Sequence, residues 1–268
     1  MSRSALCCLF FLLCWSIFTD AKSTRKHSTR NRQSNKSVVI GGKLVEEDEA
    51  PWQIVILNKH RAVCSGSLLR NNVVLTAAEC LKDIEPADLI IRAGSNHFKT
   101  GGQLRKVRET VYHPKYNEGS HAYNVAMLSL IRPLNSTKFN LRYVNLPESS
   151  DEFPSSVSIY GWGIVKNSTS STVTKRLRQT KVKVYSERKC SEFLGDEKMI
   201  EIVFCAGDRI KKVDICNDDI GSPAMGPKNT QFGIVSESKA CQTDSHTTIF
   251  TNVFSIKPWI INTLNAIK

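Results

Sequence analysis

The sequence predicts an all-β fold closed by one C-terminal helix. Three observations carry this. Short stretches rich in Val, Ile and Leu alternate with turn residues along most of the chain, the pattern of short strands joined by tight turns. Residues 181–185 read Lys-Val-Lys-Val-Tyr, the period-two alternation of a strand with one buried and one wet face. Only the end changes period. Ile256, Ile260, Leu264 and Ile267 recur at helical spacing within Ser255–Lys268, and Pro258 is expected in the first turn. At 268 residues the chain has ample material for a core.

Taken in order, residues 1–21 predict a secretory signal peptide. Arg3 supplies the basic end, Ala5 to Phe18 is an apolar run too short for a bilayer span, and Thr19-Asp20-Ala21 is an acceptable cleavage site. Residues 22–38 are polar and basic, and are expected to be a disordered pro-segment because they cannot bury enough apolar surface to fold alone. Strands are expected over residues 53–57, 63–69, 89–92, 103–111 and 126–130. A polar, Ser-rich connection follows Pro147, and the last strands lead into the helix.

Cys7, Cys8 and Cys14 lie in the leader; six cysteines remain, Cys64, Cys80, Cys190, Cys205, Cys216 and Cys241. An even number in an oxidising compartment predicts disulfides, but six cysteines allow fifteen connectivities. No pair has C-x-x-C spacing, so a metal site is not expected, and no cofactor motif is present. The net charge is +12, and seven of the 37 bases but one of the 25 acids precede residue 39. Half of the excess therefore sits in the leader and pro-segment. The sharpest remaining cluster is Lys175, Arg176, Arg178, Lys181 and Lys183, read as a solvated face with polyanion binding as the alternative. A protein that leaves the cell is not expected to bind nucleic acid, and nothing predicts a membrane span. Asn35, Asn135 and Asn167 begin N-x-Ser/Thr acceptors for glycosylation.

Several motifs carry a resemblance to the trypsin/chymotrypsin-like serine proteases over residues 39–268. Val39-Ile40-Gly41-Gly42 resembles the mature N-terminus, Cys64-Ser65-Gly66-Ser67-Leu68 the C-x-G-S-L/I strand, and Ser158-Ile159-Tyr160-Gly161-Trp162-Gly163 the start of the second half. Thr76-Ala77-Ala78-Glu79-Cys80 resembles T-A-A-H-C, Asn124-Val125-Ala126-Met127-Leu128 resembles D-I-A-L-L, and Cys216-Asn217-Asp218-Asp219-Ile220-Gly221-Ser222-Pro223 resembles C-x-G-D-S-G-G-P. The resemblance implies two packed antiparallel β-barrels, roughly 39–147 and 148–254, with the helix at 255–268. It also implies sequential disulfides, Cys64 with Cys80, Cys190 with Cys205 and Cys216 with Cys241.

Within those motifs Glu79 stands in place of the histidine, Asn124 in place of the aspartate and Ile220 in place of the serine nucleophile. An isoleucine has no lone pair to attack a carbonyl. The Asn124 amide is expected to donate to the Glu79 carboxylate. Asp218 replaces a glycine of the oxyanion hole and adds charge of the wrong sign. Asp214 matches the aspartate of the specificity pocket, but Ser238 and Thr248 replace glycines that keep it open, and Glu237 replaces a tryptophan at its entrance. Val38 is not a basic residue, so trypsin-like cleavage is not expected to free a Val39 amine for Asp219. Ser222 is set aside as a shifted nucleophile, Ser236 matches a backbone-positioning serine, and His113 and His121 are expected in surface loops.

The resulting expectation is a secreted, catalytically inactive homologue acting through an extracellular partner, either a protease, an inhibitor or a receptor. Such homologues occur in immune and reproductive fluids. The alternatives are a heparin-binding effector and a hydrolase working through other residues.

Overall fold

The computed structural model describes residues 42–267 except 98, 119–120, 163, 168–169, 174–175, 196–198, 200, 209–214, 216–218 and 239–245; for 151, 164–167, 170–173, 237 and 238 it gives the backbone course alone. After a two-residue strand β1 (Lys43–Leu44), six strands close a first barrel: β2 (Gln53–Asn58), β3 (Arg61–Arg70), β4 (Val73–Thr76), β5 (Leu89–Ala93), β6 (Gln103–Tyr112) and β7 (Ala126–Leu130). The order round the barrel is β2-β3-β4-β7-β6-β5, and every pairing is antiparallel. Alternation chooses the inward face. In β5, Leu89, Ile91 and Ala93 are buried, while Ile90 and Arg92 are only partly covered.

The second half continues with β8 (Ser156–Gly161), a hairpin of β9 (Ile164–Asn167) and β10 (Ser170–Val173), β11 (Arg178–Val184), β12 (Val203–Gly207), β13 (Pro223–Met225), β14 (Gln231–Ser238) and β15 (Thr247–Asn252). The pairings run β11-β12-β15-β14-β13-β8, and β8 pairs again with β11, so these strands also form a closed ring. β1 adds to the outside of β11, with Lys43 opposite Gln179.

Among the described residues two α-helices are present, where the sequence predicted one. Helix α1 (Glu187–Leu194) begins at Ser186, whose side chain accepts from the Lys189 N–H, and ends at Gly195 with φ 71°. Helix α2 (Val253–Ala266) starts two residues earlier than expected and is capped by Asn252. Pro258 therefore lies inside the helix instead of in its first turn. Val253, Ile256, Ile260 and Leu264 join the core of the first barrel, and the Leu264 carbonyl accepts from the Arg70 guanidinium at 3.0 Å. A second core fills the other ring, with Phe204 stacked on Phe250 at 4.9 Å. A third small cluster surrounds the Cys190–Cys205 disulfide beneath α1.

Candidate functional site

Glu79, Asn124 and Ile220 come together although they are far apart in sequence. β4 leads into a 3-10 turn, Ala78–Leu81, that carries Glu79. Cys80 in that turn is bonded to Cys64 of β3, which ties the turn to the barrel. Asn124 is buried in the segment entering β7, and its Oδ1 accepts from the Glu79 backbone N–H at 3.0 Å. Its Nδ2 donates to the Ser236 hydroxyl at 2.9 Å. The expected donation to the Glu79 carboxylate is therefore not the arrangement found. Both ends of the amide are already engaged, by a main-chain N–H on one side and by Ser236 on the other. Ser236 is fully buried in β14, so Asn124 fastens the first barrel to the second.

Ile220 lies in the turn before β13, where the Ser222 N–H donates to the Asp219 carbonyl at 2.9 Å. The Ile220 carbonyl accepts from the Ser65 N–H at 2.9 Å, and the Cys80 sulfur lies 3.7 Å from the same oxygen. The Ile220 side chain is partly buried and packs against both main cores. Gly221 follows with φ 83°; a Cβ there would come within 2.3 Å of the Ser65 carbonyl and of the Thr76 hydroxyl, so only glycine fits. Ser222 is fully buried, with the Gln53 amide 3.4 Å from its hydroxyl, and is held inside the protein instead of facing the cleft. The buried Asp219 carboxylate lies against Gly161, where an added Cβ would come within 1.9 Å of Oδ1.

Glu79 is exposed. Burial pushes the Tyr116 phenol up, and the Glu79 charge adds to the effect. Sequence reasoning did not find Tyr116, because only the folded loop brings it near. Away from these residues, burial and then the Glu49 charge push the Tyr160 phenol up to about 12, and its ring meets Trp52 edge-on at 6.0 Å. His113 corrects an expectation. It is buried, stacked on Tyr123 at 4.5 Å and tilted against Trp259 of α2 at 5.0 Å. Burial first, and Lys115 second, hold its imidazole below the usual range. The Tyr-His-Pro segment thus anchors α2, a tertiary role with no local signature. His121 is half-buried.

Ser238 and Thr248 face one another across β14 and β15, and Thr248 is buried. Asp214, Asp218, Cys216, Cys241, Asn35, Val39 and the leader lie outside the described residues, and Asn167 and Glu237 are described by backbone alone. Asn135 is exposed, with its Oδ1 accepting from the Lys138 N–H at 2.9 Å. Strand alternation divides the basic run: Lys181 and Lys183 face solvent, whereas Arg178 has the opposite parity and donates to the Gly42 carbonyl at 2.7 Å. Among the described residues no group of three or more His, Cys, Asp or Glu is placed to hold a metal.

The comparisons agree with this geometry. The family model described as Trypsin matches residues 39–260. Trypsin theta of Drosophila melanogaster is 28% identical over 255 residues, covering 94% of this chain and 95% of the relative. Among solved structures, neuropsin from mouse brain, a serine protease, superposes with a TM-score of 0.73 at 25% identity, covering 84% of this chain and 99% of the other. A scabies mite protein described as an inactivated protease paralogue gives 0.74 at 25% identity, over 84% and 97% of the two chains. Two closed six-strand barrels, a C-terminal helix and a family match over most of the length lead to one conclusion: this chain belongs to the trypsin family of serine proteases.

Proposed function

We propose that this chain is a secreted, non-catalytic member of the trypsin family that acts by binding proteins, as an adaptor, a decoy for inhibitors or a regulator of active proteases. One observation carries the reading. The position that should present an attacking hydroxyl presents Ile220, and its side chain is used to pack the two cores together. Hydrocarbon at that point supplies neither lone pair nor proton. The neighbouring hydroxyl, Ser222, is fully buried. Glu79 at the base's position lowers the case for proton shuttling further, since an exposed carboxylate is a much weaker base than an imidazole near neutral pH. The likeness to a protein described as an inactivated protease paralogue supports the same view.

Two disulfides among the described residues support a life outside the cell. Among those residues no helix is long and apolar enough to cross a membrane. The reading needs no cofactor. The trypsin relatives favour a second reading, a serine-type endopeptidase working through non-standard residues. Incubating the secreted protein with a mixed peptide library, while capturing partners from its native fluid by crosslinking and mass spectrometry, separates the two. The proposal expects an intact library and a captured protease, inhibitor or receptor. Cleaved peptides with a consistent bond preference would replace it by the second reading.

A further inference from the structure

We propose that the cavity between the 46–49 turn and the 94–102 loop binds a small zwitterion, an amino acid or dipeptide with an apolar side chain. The inference goes beyond the protein-binding role above and stands whether or not the cleft is catalytic. None of Glu79, Asn124 and Ile220 lines this cavity, which is about 360 Å³ in volume, at the small end of ligand sites.

Hydrogen bonds fix its walls. The Asn96 side-chain amide donates to the Val45 and Glu46 carbonyls, at 3.1 and 2.9 Å, and clamps the loop to the turn. The Ser95 hydroxyl donates to the Thr100 carbonyl at 2.7 Å and closes the loop on itself. The Asn96 carbonyl accepts from the Leu177 N–H at 2.8 Å and from the Trp162 indole at 3.0 Å. Next to that contact, Arg176 is bridged to His97 through the main chain. Phe139 supplies an apolar wall. A Cβ on Gly94 would lie 2.8 Å from the Phe139 Cβ, so this side chain rests directly on the loop.

Three observations describe the occupant. Glu49 is spent on Lys43 at 2.7 Å, whereas Glu47 and Asp48, both exposed at the cavity, have no ion pair among the described residues. Arg176, at the same cavity, has none there either. Gln53 lines the cavity and is 4% exposed; its Nε2 donates to the Tyr160 carbonyl at 3.3 Å, while its Oε1 is buried with no hydrogen-bond partner. A buried acceptor without a donor is costly, and a ligand N–H relieves it. An ammonium group answers Gln53 Oε1 and the two carboxylates. A carboxylate answers Arg176, with the His97 ring beside it, and an apolar side chain covers Phe139. A metal cation would meet the acids but leave Arg176 unpaired, and a simple anion would leave Glu47 and Asp48 so. A molecule carrying both charges matches both.

The test uses the full secreted chain in titration calorimetry and ligand-observed NMR. Phenylalanine and glycyl-phenylalanine are the probes, and whichever binds more tightly fixes the spacing of the two charges. Saturable binding is expected with a Kd of about a millimolar or below. Amidating the carboxylate or acetylating the ammonium of that probe is expected to weaken binding roughly tenfold. Arg176→Gln should weaken the zwitterion to the same degree but leave the amidated probe unchanged. Asp48→Asn should weaken the zwitterion and the amidated probe but leave the acetylated one unchanged. Both side chains are exposed, and asparagine tolerates the positive φ of position 48, so circular dichroism should not change. Failure of both probes to bind overturns the proposal. Equal binding of the amidated or acetylated probe also overturns it, because one charge is then not read. Calcium that competes with the probe, and whose binding is lost in Asp48→Asn, would make the acids a cation site and overturn it too. Peptide cleavage enters none of these readouts, so this proposal and the non-catalytic reading fail separately.

Discussion

At the scale of single residues, the cleft is held by groups chosen for structure. Asn124 satisfies the Glu79 main-chain N–H with one end of its amide and Ser236 with the other. Replacing it by leucine strands both inside the protein. We expect Asn124→Leu to lower stability by about 2–3 kcal/mol in denaturant titration, while Asn124→Asp, which keeps the acceptor for Glu79, costs less. The sequence marked all three altered positions, because each sits inside a motif with its own spelling. It did not reveal the partner of the Asn124 amide, since Ser236 lies on a distant strand of the other barrel. A second expectation concerns repair. The combined variant Glu79→His, Asn124→Asp and Ile220→Ser spells the triad correctly, yet its turnover of Lys/Arg peptides should stay below about a thousandth of an ordinary family enzyme. Asp218, standing in sequence where the resemblance implies an oxyanion-hole glycine, is expected to oppose an oxyanion, a term worth about a hundredfold or more, and Ser238 and Thr248, paired across β14 and β15, stand where the resemblance implies glycines. Near-family rates from this variant would mean that the protein is disabled at its triad alone.

At the scale of elements, strands were legible wherever alternation was clean; 126–130 was found as expected, and the ends of the others moved by at most three residues once pairing was known. Helix α1 was missed because it is only eight residues long, too short for the helical spacing of Cys190, Phe193 and Leu194 to stand out; the signal was also available in Ser186 and Gly195, a cap and a stop at helical distance. The turn before β13 is the most constrained element of the site. Gly221→Ala places a methyl group against the Ser65 carbonyl at positive φ. It should cost more than about 2 kcal/mol or prevent folding, as a shift in denaturation midpoint would register. Helix α2 depends on His113, whose ring touches Tyr123 and Trp259. Burial holds that imidazole neutral, with its folded pKa below the unfolded value. The unfolded chain therefore binds the proton first, and stability falls as pH drops below about 6.5 until the folded pKa is passed. Between about pH 7.5 and pH 5, the wild-type melting temperature should fall further than that of His113→Gln. Equal falls would place the pH sensitivity elsewhere.

At the scale of the whole molecule, composition and periodicity reached an all-β chain and stopped there. Barrel closure depends on pairings such as β8 with β11 and β2 with β5, whose partners are widely separated in sequence; the trypsin-like motifs supplied the architecture that periodicity lacked. The assembled molecule places hydrocarbon where the family places its nucleophile, and uses that hydrocarbon to join two cores. In the reading proposed above, the loss of chemistry and the gain of packing are one substitution, and Ile220→Ser alone is expected to lower stability by about 1 kcal/mol. The most direct test of the central claim is to treat the purified secreted protein with a fluorophosphonate probe, which reacts with activated serines. The account predicts no labelled serine by peptide mapping, with active trypsin labelled in parallel. Stoichiometric labelling of any serine, abolished by prior heat denaturation, would contradict it and make this chain a protease working through residues the motifs do not mark.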